Sequence, residues 1–266
     1  MINYIKSKIL NYSSEREYKK SQLCNPKYNH DGSLEEILKT YTSRNELYNY
    51  FHHHFWNSAP EWLREHRNYF KKDLRGFGED AFHVMWYFLV KEFHPGRVLE
   101  IGIYRGQVIS LIALISDKIN HEIEIHGISP FSPAGDQVSE YLKKIDYYND
   151  VKKNFSRFSN NKPHLHKGFS TDPEMMNIIN SYTWDLIYID GNHDYQVVKK
   201  DFEVCSNSLN KGGFIVLDDS SLYTDYSPNS FSTAGHPGPS KLANELNDQA
   251  FKEVVSVGHN RVFQKL

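Results

Sequence analysis

The chain predicts an α/β protein: a doubly wound, open parallel sheet preceded by an N-terminal helical cap. Three observations carry this reading. Residues 98–114, VLEIGIYRGQVISLIAL, read as a short buried strand that turns into an apolar helix through Gly102 and Gly106. Downstream of Pro95-Gly96, apolar strand patterns alternate with helical ones, which means parallel pairing with both faces of the sheet covered. Upstream, apolar residues recur at helical spacing with no strand among them.

Residues 1–30 are polar, either loosely packed or a short helix. From Ser33 the run SLEEILKTYTSRNELYNYFHHHFW predicts one helix, with Ser33 as N-cap and Glu36 completing a capping box. Pro60 opens a second helix, PEWLREHRNYF. RGFGED is a turn, and Ala81–Phe93 forms a third helix, so residues 1–94 make a cap of about three helices. The expected strands are Arg97–Ile101, Glu122–Ile128, His164–Lys167, Asp185–Asp190 and Gly213–Leu217. Helices Gln107–Lys118, Gln137–Phe158, Pro173–Ile179 and Val197–Ser208 separate them. A loop rich in Ser, Pro and Gly then runs from Ser220 to Pro239, followed by a helix Ser240–Gln249. FKEVVSV and NRVFQKL, joined at Gly258-His259, close the chain as an antiparallel hairpin.

Composition narrows the function classes. A chain of 266 residues with 39% hydrophobic content can bury one core plus a small appended region. Its net charge of −2 supplies no basic patch for nucleic acid and no field that favours an anionic membrane. Apolar runs are too short to span a bilayer, and the N-terminus carries no secretory pattern. Two cysteines, Cys24 and Cys205, are too few for a disulfide framework, which fits a reducing, cytoplasmic setting.

In a doubly wound sheet the ligand lies across the carboxyl ends of the strands. Here those ends read Glu100-Ile101-Gly102, then HGISPFSPAGD, HKGFS, YIDGNHDY and VLDDSS, all rich in polar residues or glycine. The first turn spaces its glycines as G-x-x-x-G, without the third glycine of a pyrophosphate loop, and so points to a smaller adenosyl cofactor.

Leu99-Glu100-Ile101-Gly102 with Gly106, Ile189-Asp190-Gly191 with His193 and Tyr195, and Lys211-Gly212-Gly213 before Asp218-Asp219 together resemble the class I S-adenosylmethionine-dependent methyltransferases. The nearest branch is that of small-molecule and sugar O-methyltransferases of antibiotic and polysaccharide pathways. The resemblance covers residues 95–266 and implies a Rossmann-like seven-stranded sheet in the order 3-2-1-4-5-7-6, the last strand antiparallel. It places Gly102, Tyr104 and Gly106 around the methionine end of the cofactor, with Glu100 near its amino group, and Ser110 either facing the cofactor or at the surface. The acidic residue that the family uses for the ribose hydroxyls is replaced by Ser129, with Asp136 as a second acceptor in the same loop. Gly168 and Ser170 would lie along the adenosine or form a plain turn.

Methyl transfer to an alcohol needs alignment and an acceptor oxygen stripped of its proton. Asp190, Asp218 and Asp219, at the ends of neighbouring strands, form an all-oxygen set suited to Mg²⁺ or Mn²⁺. The other reading of these acids has Asp190 facing the cofactor sulfonium and the two others capping the next segment. His193, three residues past Asp190, is the candidate general base, with His236 second. The cap aromatics Tyr50, Phe51, Phe55, Trp56, Trp62, Tyr69 and Phe70 either stack on an acceptor ring or are core or homodimer contacts. Arg64, Arg67 and Arg75 hint at a phosphorylated or nucleotide-linked acceptor, and His52-His53-His54 is expected to be half buried. Together these readings give an O-methyltransferase of a small polar acceptor, most plausibly a sugar. The rivals are a metal-dependent phenol or catechol O-methyltransferase, a nicotinamide dehydrogenase, and a non-catalytic cofactor-binding scaffold.

Overall fold

The structure is a computed structural model and describes residues 14–21, 23–135, 142, 144–246 and 248–266. Seven strands form one sheet: β1 (Arg97–Ile101), β2 (Glu124–Ser129), β3 (His164–Lys167), β4 (Trp184–Ile189), β5 (Leu209–Leu217), β6 (Phe251–Val257) and β7 (Asn260–Lys265). Their order is β3-β2-β1-β4-β5-β7-β6, parallel through β5, with β7 antiparallel to both β5 and β6. The expected topology and the alternation of strands and helices are therefore both present.

Side-chain alternation along the central strands separates two cores. Val98, Leu186, Tyr188 and Val216 face one way and pack with the cap and the helix α5 (Gln107–Ile119). Leu99, Ile101, Ile187, Ile189 and Leu217 face the other way. There they meet α7 (Pro173–Asn180), α8 (Tyr195–Ser208) and α9 (Pro237–Glu245).

The cap differs from expectation at one point. The long helical run from Ser33 is two helices, α1 (Leu34–Thr40) and α2 (Arg44–Asn57), and is followed by α3 (Glu61–Phe70) and α4 (Asp80–Phe93). Ser33 and Glu36 form the capping box as read. Ser43 starts α2 in the same manner, its hydroxyl accepting from the Glu46 backbone N–H at 3.2 Å. Among the described residues the cap thus has four α-helices from Leu34 to Phe93. A single run was expected because its apolar spacing continues across the break.

Other boundaries moved as well, most of all in two helices. The helix expected over Gln137–Phe158 is α6 (Tyr147–Ser156), with Asp146 as N-cap; positions 136–141 and 143 lie outside the described residues. The last helix runs from Pro237 to Glu245, earlier than Ser240–Gln249, because two prolines suit a first helical turn.

Candidate active site

Every parallel strand delivers its carboxyl end to one cleft of about 980 Å³, lined among others by Glu100, Gly102, Ser129, Gly168, Asp190, His193, Asp218 and Asp219. Tyr104, Ser170 and His236 also reach it.

At the end of β1 the backbone turns left-handed, with φ of 94° at Gly102 and 85° at Gly106, the N-cap of α5. Gly102 N–H donates to the Ile128 carbonyl at 3.0 Å, and Asp190 N–H donates to that of Ile101 at 2.9 Å. A side chain at Gly102 would put its Cβ 1.9 Å from the Asp190 carbonyl oxygen, so only glycine lets the two central strand ends approach this closely. Glu100 is 2% exposed, and its Oε2 accepts from Ile109 N–H at 3.0 Å. Burial pushes its carboxyl well above the usual range, although the Ile109 hydrogen bond pulls the other way. Tyr104, at φ 46°, donates from its hydroxyl to the Leu74 carbonyl at 2.9 Å and packs its ring against Phe77.

Ser110 corrects the expectation. It is fully buried and neither faces the cleft nor reaches the surface. Its Oγ donates to the Gly106 carbonyl at 2.7 Å and lies 3.0 Å from His66 Nε2, which in turn lies at 3.0 Å from His83 across Nδ1 and Nε2. The hydroxyl anchors the glycine turn to the cap from behind.

Ser129 sits at the end of β2, and its carbonyl accepts from Gly168 N–H at 3.1 Å, so those two positions face the cleft together. Asp136, the second ribose acceptor offered by the sequence, lies outside the described residues. Ser170 is hydrogen-bonded to Asp201, whose carboxyl burial pushes up to about 6.

The three acids of the fourth and fifth strand ends meet three imidazoles. Asp190 and Asp218, at the ends of neighbouring strands, are close enough for their carboxyls to interact. Burial pushes Asp190 well above the carboxylate range, and the adjacent Asp218 charge adds to the effect. Asp218 rises for the same first reason, with Asp219 next. Asp219 goes the other way: burial opposes ionisation, but the hydrogen bond from His193 and the neighbouring imidazoles outweigh it. His193 Nε2 lies 2.8 Å from Asp219 Oδ2, and the His193 ring lies 4.1 Å from that of His236. His236 Nε2 is 3.9 Å from the same carboxylate.

The third imidazole is His259, which the sequence offered only as part of a hairpin turn. Its Nε2 lies 3.4 Å from Asp218 Oδ1 and 3.9 Å from Asp219 Oδ1, while Nδ1 is 3.2 Å from the Thr233 carbonyl. Burial disfavours its charge, yet Asp218, Asp219 and Glu79 together hold its pKa above the usual histidine value. Glu79, read as a turn residue, is likewise at the site: it accepts from Tyr48 and Ser232 and lies 4.0 Å from His259 Nδ1.

These donors bear on a metal. Ligating atoms within 4.8 Å of one another come from Asp218, Asp219 and His259, and separately from His193, Asp219 and His236. Two members of the expected all-oxygen set, Asp218 and Asp219, thus have imidazoles within ligating reach, while Asp190 is in neither group. Asp218 Oδ1 is buried and accepts no hydrogen bond, so the set fits a divalent cation. A mixed nitrogen and oxygen set favours Mn²⁺ over Mg²⁺.

The cap forms the opposite wall, but not with the aromatic residues singled out. Tyr50, Phe51, Phe55 and Phe70 are core, with Trp56 and Trp62 packed against it. Tyr48, Phe77, Phe82 and Trp86 line the cleft instead. His52, His53 and His54 are all buried, not half solvated, and His52 reaches the cleft. Of the three arginines only Arg67 lines it, held through Nε to Asp80 at 3.1 Å; Arg64 binds cap carbonyls and Arg75 pairs with Asp73.

With this geometry in place, likeness to known proteins is informative. Residues 99–220 match a family model described as a methyltransferase domain. An uncharacterized protein of Acanthamoeba polyphaga mimivirus is 38% identical over 130 residues, covering 48% of this chain and 52% of that one. The chain thus spans about half the length of that curated relative. The methyltransferase PaMTH1 of Podospora anserina, solved with SAH bound, superposes with a TM-score of 0.53 at 16% identity over 78% of this chain and 89% of its own. An O-methyltransferase of Bacillus cereus in complex with SAH gives 0.52 at 12% identity over 79% and 93%. Among the described residues no helix is long and apolar enough to cross a membrane. The stretch from β1 to the acidic turn after β5 is thus similar to a methyltransferase domain, and the chain shares the fold of methyltransferases solved with SAH bound.

Proposed function

We propose that this protein transfers a methyl group from S-adenosylmethionine to a hydroxyl oxygen of a small polar acceptor, a sugar or sugar-linked group in polysaccharide or secondary metabolism. The observation that carries this reading is the meeting of Asp190, His193, Asp218 and Asp219 with the Gly102 turn in one cleft. Glu100, Gly102, Tyr104, Gly106, Ser129, Gly168 and Ser170 hold the cofactor along the strand ends. Bound S-adenosylmethionine supplies a sulfonium methyl, and a divalent cation held by the cluster of Asp190, Asp218 and Asp219 would make the acceptor hydroxyl more acidic.

His193 takes the hydroxyl proton as the oxygen–methyl bond forms and the sulfur–methyl bond breaks, leaving the neutral thioether. Asp219, at 2.8 Å, orients the imidazole and stabilises its charge. The acceptor's polarity is supported by the cap wall. His52 Nδ1 and Arg67 Nη1 are buried there without hydrogen-bond partners, and each such group costs about 1–3 kcal/mol until a ligand satisfies it.

Calorimetry with S-adenosylhomocysteine and with NAD tests the cofactor; binding of NAD in preference would end the reading. Transfer of labelled methyl from S-adenosylmethionine is then followed over methyl glycosides, nucleotide sugars and catechols, with and without chelator. Label in a glycoside or nucleotide sugar is expected. Label confined to catechols favours the phenol rival, and cofactor binding without transfer to any acceptor favours a scaffold. Full activity in excess chelator removes the cation.

A further inference from the structure

We propose that Glu124, His126 and His164 form a second divalent transition-metal site, at the amino-terminal side of the sheet's outer edge and away from the cleft. β3 is the outer strand and lies beside β2. Glu124 opens β2 and His164 opens β3, so both stand at the ends of the strands opposite the catalytic residues. Strand geometry prearranges the donors. Glu124 and His126 are two residues apart and share a face, and His126 is the register partner of His164. One ligand atom from each residue lies within 4.8 Å of the other two.

The surroundings are those of a supported site. His126 is fully buried, and its ring is stacked at 4.5 Å on His164 and walled by Trp184 and Tyr182. Its Nε2 lies 2.8 Å from Glu124 Oε1, and Nδ1 lies 3.1 Å from His166 Nε2. Binding a cation at Nε2 moves the ring proton to Nδ1, where His166 accepts it, so no buried nitrogen loses its partner. Arg97 donates to Glu124 Oε2 at 2.7 Å and fixes the carboxylate while leaving Oε1 to the cation.

His164 is exposed, and with Glu124 it lines a second cavity of about 470 Å³, so two of the three residues are reached from solvent. Two imidazoles, one carboxylate and a water make a four-coordinate set for Zn²⁺ or Co²⁺, and a poor one for Mg²⁺.

The test uses the full chain, stripped with chelator and titrated with ZnCl₂ by calorimetry. An Asp218→Asn/Asp219→Asn variant is titrated in parallel to silence the cleft. One equivalent of Zn²⁺ should survive in that variant. It should weaken at least tenfold in His164→Ala and in Glu124→Gln, with the circular dichroism spectrum unchanged in both. Co²⁺ loaded into the cleft-silenced protein should show the visible bands of a four-coordinate centre. Zn²⁺ affinity that is indifferent to His164→Ala, or that vanishes in the cleft-silenced variant, overturns the proposal. So does a Co²⁺ spectrum of six-coordinate type.

Discussion

Replacing Gly102 with alanine tests whether the touching ends of β1 and β4 shape the cofactor turn. The new Cβ would lie 1.9 Å from the Asp190 carbonyl oxygen, 2.4 Å from its carbon and 2.7 Å from Gly191 Cα. All three atoms are backbone at the end of a central strand, so no flexible side chain can give way. Ordinary contact begins at 3.4 Å, so the strand ends must part by an amount on the order of 1.5 Å, which a close-packed interior transmits. That movement breaks the Asp190–Ile101 and Gly102–Ile128 backbone hydrogen bonds.

The left-handed φ costs about 1–2 kcal/mol for alanine. Overpacking adds about 1–3 kcal/mol. Together these take roughly 2–5 kcal/mol from a total of about 5–15 kcal/mol. At about 2–4 °C per kcal/mol the melting temperature should fall by roughly 4–20 °C. S-adenosylhomocysteine affinity should fall as well, since the turn that faces the ligand has moved. Gly212 is the internal control: its φ is 81°, yet a Cβ there meets nothing within 4 Å. Gly212→Ala should therefore show the backbone cost alone. Scanning calorimetry on the two variants separates the clash from the dihedral cost. Equal shifts for both, or a Gly102→Ala melt within 2 °C of the parent, would refute the argument.

Two further outcomes follow from the acidic cluster. His193→Ala should lower kcat by about 10²–10⁴ while leaving S-adenosylhomocysteine affinity unchanged, and a loss under threefold in a methyl-transfer assay would remove His193 as the base. Asp190 has its pKa raised above 3.8 by burial and by Asp218, so its folded-state contribution is fully present below that value and is lost as pH rises through the raised folded value. Asp190→Asn in cation-free protein should accordingly match the parent near pH 4 and melt higher at pH 8, and a melting difference that does not change with pH would contradict this.

What the sequence made legible follows from where the information is local. The limits of β1 and β3 and the start of α5 were readable because a buried parallel strand is a short apolar run that ends abruptly in polar residues or glycine. The break between α1 and α2 was also written locally, since Ser43 and Glu46 repeat the Ser33 and Glu36 spacing; continuous apolar periodicity masked it. β5 begins at Leu209 and not at Gly213, because Lys211-Gly212-Gly213 reads as a turn although the strand runs through it.

Glu79 and His259 were not legible. Their meeting depends on a cap loop and a C-terminal hairpin reaching the same carboxylates, and nothing in either local pattern distinguishes a turn that points into a cleft from one that points into water. Ser110 failed for a related reason: helical phase places it on an inner face but does not reveal that His66 from α3 fills the space in front of it.

The two walls of the cleft therefore differ in origin, and this bears on how acceptor choice is encoded. One wall, where the proposed function puts the cofactor, is made by strand tips whose backbones touch, so its residues are fixed by the sheet itself. The opposite wall, where the proposed function puts the acceptor, comes from the cap: Tyr48 and His52 on α2, Arg67 on α3, and Glu79, Asp80, Phe82, His83 and Trp86 at and along α4. Its polar groups lean on one another, with Asp80 accepting from Arg67 at 3.1 Å and from Trp56 at 3.2 Å, and with Glu79 lying 4.0 Å from His259 Nδ1. The His259 ring meets both walls, packing on Phe82 on one side and facing Asp218 and Asp219 on the other. A change on the cap wall thus alters the acceptor without moving the strand tips, unless it passes through His259. Substitutions at Arg67 or His52 should change acceptor preference at constant cofactor affinity, whereas substitutions at His259 should disturb both, and that contrast separates a two-walled cleft from a single undivided pocket.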